Sequence, residues 1–230
     1  STTNIPNTFT SWKTNYAFEF LTANFLDLNN DSYDDDQNDW LYASTMSPGK
    51  GYIIMTPINK TTYPRQEDIV FSGKVNNGEI TVPIALSPSV VDQDDDFNLV
   101  GNPYPSAISA DEFIIANINS PSNTGPYKTI EGTLYFWTHI GDISKDIVGP
   151  YALNYSTDDY AVYTLAGGVG TGGNLVAGVR QNSNKPTGYI ASGQGFFVEA
   201  DKAGTLLFNN AMRVGTETKN NNFCLYSCIR

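Results

Sequence analysis

The sequence predicts an all-β protein, an antiparallel two-sheet sandwich with a jelly-roll-like architecture and one short helix. Aromatic residues make up 13% of the 230 residues, with 14 Tyr and 12 Phe, and strands favour such side chains. Charged residues make up only 16%, and Asn, Ser, Thr and Gly take their place on the surface, a composition typical of extracellular β-proteins. Alternating apolar runs recur at short intervals between turn residues, as two packed sheets require.

Individual strands are predicted where such a run is bounded by Gly, Pro, Asn or Asp. These runs are residues 51–56, 68–75, 80–86, 97–101, 132–139, 159–165, 194–200 and 204–210. Between the second and third runs, the dipeptide Asn77-Gly78 predicts a tight hairpin. The glycine-rich run 166–178 predicts a flexible surface loop.

The single helix is predicted over residues 109–118, about two turns long. Ser109 can cap its N-terminus, and Glu112 follows at the spacing of a capping box. Phe113, Ile114 and Ile118 would share the apolar face of this helix.

One domain over residues 1–215, followed by a tail over 216–230, is the predicted organisation. A Gly-x-Gly turn opens an apolar strand in "SPGKGYIIM" and again in "ASGQGFFVE". This echo predicts two similar halves, about residues 1–100 and 101–215.

The net charge of −11 restricts the classes of partner. Nucleic acids and anionic membranes attract clustered Lys and Arg, whereas the 13 basic residues here are scattered. No run approaches the roughly 18 apolar residues that span a bilayer, so membrane insertion is not predicted. Divalent cations and neutral or cationic ligands are compatible with this charge.

The cysteines, Cys224 and Cys228, lie in the predicted tail. A disulfide between them would close a very short loop and stabilise the core little. Zinc takes four ligands and His139 is the only histidine, so the pair alone does not predict a zinc site. The role of the two cysteines is left open.

The acidic segment "DLNNDSYDDDQNDW", residues 27–40, is the candidate metal site. The predicted oxygen ligands for calcium are Asp27, Asn29, Asp31, the Tyr33 carbonyl, Asp35 and Asp39. The segment is not an EF-hand, because Ser32 stands where that loop needs Gly and Asn38 where it needs Glu. A hydrated acidic loop without metal is the alternative, and the shorter run 92–98 is a weaker candidate.

Aromatic side chains are the candidate carbohydrate-binding residues. In "LYFWTH", alternation places Tyr135, Trp137 and His139 on one face of a strand. Rings presented in this way can stack on the C–H faces of sugars. The alternative is that Trp137, like Trp12 and Trp40, fills the interior of the sandwich. No G-x-S-x-G elbow or other catalytic motif is present, and no catalytic residue is predicted.

Several motifs occur in an order that carries a resemblance to a known group of proteins. The matching segments, quoted in chain order, are Gly49–Tyr52 (GKGY), Phe71–Gly78 (FSGKVNNG), Asn98–Ser106 (NLVGNPYPS), Tyr135–Trp137 (YFW), Gln194–Val198 (QGFFV) and Phe208–Arg213 (FNNAMR). Over about residues 40–214 the chain resembles a β-sandwich region of Bacteroidetes secreted and surface proteins exported by the type IX secretion system.

This resemblance implies a non-catalytic module, extracellular or on the outer cell surface, in proteins of adhesion or polysaccharide use. It supplies no catalytic residues. A polysaccharide-degrading enzyme, a glycoside hydrolase or lyase with a carboxylate site, is the first alternative. A structural spacer is the second. Oligomeric state, ligand identity and parent protein are not determined by the sequence.

Overall fold

The computed structural model describes residues 3–4, 17–30, 33–54, 73–89, 96–138, 144–146, 159–170, 175–176, 179–180 and 185–215. The strands are β1 (Thr3–Asn4), β2 (Ala17–Phe20), β3 (Trp40–Tyr42), β4 (Thr45–Met46), β5 (Ile53–Ile54), β6 (Ile80–Ile84), β7 (Phe97–Gly101), β8 (Ile108–Ser109), β9 (Ile130–Trp137), β10 (Tyr160–Thr164), β11 (Gly167–Val169), β12 (Leu175–Val176), β13 (Val179–Arg180), β14 (Tyr189–Ile190), β15 (Gly195–Ala200) and β16 (Gly204–Phe208). Helix α1 spans Ala110–Asn117, and 3-10 turns span Thr22–Asn24 and Asn210–Met212.

A five-stranded sheet in the order β11-β10-β9-β15-β7 forms the centre of the molecule, and all of its neighbouring strands are antiparallel. In β9, Leu134 and Phe136 are buried, whereas Tyr135 and Trp137 are half-buried on the other face. The predicted alternation is therefore confirmed.

One face of this sheet is covered by the β6–β16 pair and by α1. The Phe113 ring of α1 meets Phe196 edge-on at 5.3 Å and lies 4.9 Å from Phe208. These rings are fully buried, together with Leu134 and Ile114. Burial of such side chains from water is the main source of stability for the fold.

The opposite face of the central sheet meets the smaller sheet β3-β2-β5. Phe20 of β2 lies 5.6 Å from Phe197 of β15, and Trp40 of β3 lies 6.5 Å from the same ring. The predicted all-β antiparallel sandwich is confirmed, and its central sheet is covered by described elements on both faces. No helix among the described residues is long and apolar enough to cross a membrane.

The predicted helix is confirmed as α1. Ser109 is its N-cap, and its hydroxyl accepts a hydrogen bond from the Glu112 amide at 3.3 Å. Asp111 and Glu112 lie in the first turn, where negative charge complements the helix dipole.

The predicted hairpin around Asn77-Gly78 is wrong for its described part. Residues 73–75 form no strand, and β6 pairs with β16 instead. The turn is held by distant groups: Asn76 Nδ2 donates to the Pro103 carbonyl at 2.9 Å, and the Gly78 amide donates to Asn210 Oδ1 at 3.1 Å. Tertiary bonds therefore override the local turn signal. Residues 68–72 of the predicted strand lie outside the described part of the chain.

The glycine-rich run 166–178 is also more ordered than predicted, because it begins with strand β11. In β11, Gly168 pairs with Tyr163 of β10. A Cβ on Gly168 would lie 2.3 Å from the Pro186 carbonyl oxygen, so only glycine allows this close packing.

Buried Asn102 ties the corner after β7 to the rest of the chain. Its Nδ2 lies 2.9 Å from the Ser106 carbonyl, 3.1 Å from that of Ile190 and 3.0 Å from that of Ala191. Its Oδ1 accepts from the Tyr104 amide at 3.0 Å. One side chain therefore satisfies main-chain groups from two segments that are distant in sequence.

Tyr104, in the same corner, connects it to two further motifs. Its hydroxyl donates to the Gly78 carbonyl at 2.6 Å, and the Arg213 guanidinium lies 5.3 Å from its ring centre. Arg213 also donates to Ser106 Oγ at 3.1 Å and to Asn77 Oδ1 at 3.2 Å. The motifs around residues 78, 104 and 213 therefore meet at one structural corner.

We expect Asn102→Ala to lower the free energy of unfolding by about 2 kcal/mol or more, because it leaves buried carbonyls without a donor. Urea denaturation measures this loss. Asn119→Ala is the control, since Asn119 is exposed, and should change stability by about 0.5 kcal/mol or less. Equal stabilities of the two variants would contradict the role of Asn102.

Candidate functional site

The acidic segment is organised by bonds from carboxylates to main-chain amides. Asp34 is buried and accepts from the amides of Leu26 at 2.8 Å, Asn38 at 2.7 Å and Asp39 at 3.2 Å. Charge-assisted bonds of this kind are stronger than those between neutral groups. The Asp34 carboxylate thus joins the two ends of the loop.

Asp27 and Asp35 order the middle of the same loop. Asp27 is fully buried, and its Oδ1 accepts from the amides of Asn29 at 3.0 Å and Asn30 at 2.6 Å. Asp35 accepts from the Leu28 amide at 2.7 Å and lies 3.4 Å from Asn29 Nδ2. Asn30 has a φ of +62°, a left-handed conformation that asparagine tolerates better than most residues.

Of the predicted calcium ligands, the structure brings Asp27, Asn29 and Asp35 together through the Asn29 bonds. Asp39 lies at the other end of the loop, near Asp34. Asp31 lies outside the described residues. Within the described part of the chain, no three His, Cys, Asp or Glu side chains form a group that could hold a metal ion. Calcium at this segment stays a prediction.

Asp39 has a perturbed carboxylate. Burial, followed by the negative charge of Asp34, raises the pKa of Asp39 to about 6. Bonds to nearby main-chain amides oppose this rise without cancelling it. Asp39 is therefore held in a position that disfavours its charged form.

The predicted carbohydrate-binding residues lie at the border of an aromatic cluster between the sheets. Trp137 packs edge-on against Tyr160 at 4.9 Å, and Tyr160 lies 6.0 Å from Phe197. Tyr135 meets Phe97 edge-on at 5.2 Å. Tyr135 and Trp137 are both half-buried and share a face, as predicted, whereas His139 lies outside the described residues.

A carboxylate that the sequence analysis missed lies within this aromatic face. Glu199 of β15 is buried, and its Oε2 accepts from the Tyr135 hydroxyl at 3.1 Å. Burial and the Glu199 charge raise the pKa of Tyr135 to about 12. Alternation within "QGFFVEA" could have indicated this residue, because Phe197 and Glu199 share the face that Tyr135 shares.

The sequence analysis also missed Tyr42 of β3. Among the described residues, Tyr42 is the most exposed aromatic residue. It is 68% exposed, and its ring lies 4.7 Å from Phe18 on the neighbouring strand. The period-two spacing of Trp40 and Tyr42 is the signal that could have identified it.

A groove of about 800 Å³ lies beside β6. Its other walls are formed by residues 20–24, 47–50 and 76–79, and Leu99 and Val100 of β7 also line it. The residues that line it include Asn24, Asn76, Asn77 and Asn98. The sequence analysis did not identify the groove, because it depends on contacts between segments distant in the chain.

The profile of a family described as "Domain of unknown function (DUF8693)" matches residues 1–226. The chain belongs to this DUF8693 family. Neither the curated proteins nor the solved structures contain a significant match to the DUF8693 chain.

We expect Asp39 to contribute a decrease in the stability of the protein as the pH rises from about 4 to about 6. Asp39 has a raised pKa in the folded state, so the folded chain binds more protons than the unfolded chain in this range. Thermal melts across this range, compared between wild type and Asp39→Asn, measure the effect. The melting temperature of Asp39→Asn should fall less over this range than that of wild type. Superimposable pH profiles would show that Asp39 does not contribute.

Proposed function

We propose that the chain is a non-catalytic, extracellular module of a bacterial secreted or surface protein that binds polysaccharide. The resemblance of its ordered motifs supports the exported location and the role in adhesion or polysaccharide use. The binding surface is assigned to the border of the face of the central sheet that meets the smaller sheet β3-β2-β5, where Tyr135 and Trp137 are half-buried.

The observation that carries this proposal is the combination of two half-buried rings and a carboxylate on one sheet face. Tyr135 and Trp137 retain part of their surface, and Glu199 lies within hydrogen-bond distance of the Tyr135 hydroxyl. Carbohydrate sites combine ring surfaces, which pack on sugar C–H groups, with acceptors for sugar hydroxyls. The neighbouring rings of Phe97 and Tyr160 hold the two candidate residues in place.

The aromatic face also contributes to packing, and the experiment must separate the two roles. Trp137→Ala tests the binding residue, and Tyr42→Ala is the control because it removes an exposed ring from the other sheet. Both variants are first compared with wild type by thermal melting. Only folded protein is then used for binding.

A glycan array followed by affinity electrophoresis tests the function. We expect retention of at least one polysaccharide, a loss of about tenfold or more in Trp137→Ala and little change in Tyr42→Ala, by analogy with large losses on removing central aromatic residues. Equal retention of Trp137→Ala and wild type would overturn the assignment to this face. Release of reducing ends would favour the enzyme alternative, and absence of binding would favour the spacer.

Calcium bound at residues 27–39 is proposed as the cofactor of this module. Support comes from the carboxylates of the buried Asp27 and of Asp35, which Asn29 brings together by donating to both. Carboxylate and amide oxygens are the ligands that calcium prefers. A bound cation would also reduce the repulsion between neighbouring carboxylates.

We expect EDTA to lower the melting temperature and added Ca²⁺ to restore it, because a cation that binds only the folded state stabilises that state. Mg²⁺ at the same concentration is the control and should restore less, since it demands a tighter geometry. Melting curves that coincide with and without EDTA would remove calcium from the proposal.

A further inference from the structure

We propose that the outer edge of β6 binds an extended basic peptide, which adds to the β6–β16 pair as a third strand. This site is separate from the aromatic face, and it does not rest on the proposed carbohydrate binding. It lies in the groove of about 800 Å³ described above.

The hydrogen-bonding pattern of β16 shows which groups of β6 face the groove. Leu207 of β16 lies opposite Thr81 of β6. The Leu207 amide donates to Asn117 Oδ1 at 2.7 Å, and its carbonyl accepts from Asn117 Nδ2 at 3.0 Å. In an antiparallel pair, main-chain groups point alternately toward and away from the partner strand. The amide and carbonyl of Thr81 therefore point away from β16.

The same alternation directs the main-chain groups of Pro83 and Ala85 to the outer edge. At Ala85 this edge is already paired by a side chain, because Asn98 Oδ1 accepts from its amide at 3.0 Å and Asn98 Nδ2 donates to its carbonyl at 2.8 Å. Asn98 thus takes the place of a neighbouring strand residue. No described residue makes a corresponding bond to the outward groups of Thr81 or Pro83.

One donor and two acceptors remain along the groove: the Thr81 amide and the carbonyls of Thr81 and Pro83. An extended peptide main chain offers the complementary groups at the same spacing. Residues 80–85 span roughly 17 Å, enough for about five extended residues. Pro83 has no amide, which limits the ladder to a short segment and discourages edge-to-edge association.

Charge determines which peptide fits. Lys50, in the facing wall, forms an ion pair with Glu19, so its charge is compensated. Glu79 lies at the end of the groove next to Ile80, is exposed and forms no ion pair with a described residue. The chain as a whole carries a net charge of −11. A peptide with basic side chains is therefore attracted to the groove, and an acidic one is repelled.

The test uses fluorescence anisotropy with a capped, fluorescein-labelled peptide of about five alternating valine and lysine residues, titrated with protein to about 1 mM. An analogue with every main-chain amide N-methylated cannot donate to the Thr81 and Pro83 carbonyls through either of its edges. A second analogue carries glutamate in place of lysine. The protein variants are Thr81→Pro, which removes the outward amide, and Glu79→Gln, with Glu131→Gln as the control because Glu131 is exposed on another strand.

We expect saturable binding of the basic peptide and at least about fivefold weaker binding of both analogues. Thr81→Pro should weaken binding about fivefold and Glu79→Gln about threefold, while Glu131→Gln binds as wild type. If Thr81→Pro does not fold, the N-methylated analogue and Glu79→Gln still decide the question.

Three binding results would overturn the proposal. These are no saturable binding by wild type, equal binding of the N-methylated peptide, and equal binding of the acidic peptide. A concentration-dependent dimer that Thr81→Pro abolishes would also overturn it, because the edge would then be occupied by a second copy of the chain. Sedimentation velocity of wild type and variant detects that outcome.

Discussion

Buried asparagine side chains that act as main-chain substitutes are the constraint on which this fold depends. Asn98, Asn102 and Asn117 are each buried, and each bonds to main-chain groups of segments distant in sequence. The amide group can donate and accept at once, so it completes a ladder where no further strand is available. Removing one such side chain leaves polar main-chain groups in the core without a hydrogen-bond partner. The resulting loss of stability is larger than the contribution of the bond itself. Asn98 joins β7 to the end of β6, Asn102 joins the corner after β7 to β14, and Asn117 joins α1 to β16.

Three strands of the central sheet, together with β16, could be predicted well from alternation and turn residues. β7, β10, β15 and β16 fall within the predicted runs, because their hydrophobic periodicity reflects burial of one face. The local predictions that were wrong share a cause. Asn77-Gly78 carries a strong hairpin signal, but its turn is held by Tyr104 and Asn210. Such long-range bonds leave no local pattern in the sequence.

In the candidate sites too, local patterns could be predicted from the sequence and long-range contacts could not. That Tyr135 and Trp137 share a face follows from a period of two and could be predicted, whereas the position of Glu199 beside Tyr135 depends on how two strands are aligned. In the acidic segment, counting oxygen atoms identified a candidate for cation binding. The sequence did not reveal that Asp34, which was not among the predicted ligands, closes the loop by accepting three main-chain amides.

Gly51 has a consequence for how the chain assembles. A Cβ there would lie 2.6 Å from the Val100 carbonyl oxygen. The main chain at Gly51 therefore lies directly against the main chain of β7, with no side chain between them. On its other side β7 pairs with β15, nearly a hundred positions further along the chain. β7 is thus the meeting point of early and late portions of the polypeptide, and its environment is completed only after β15 has been synthesised. Such distant closure slows folding and favours one cooperative transition over the separate assembly of two parts.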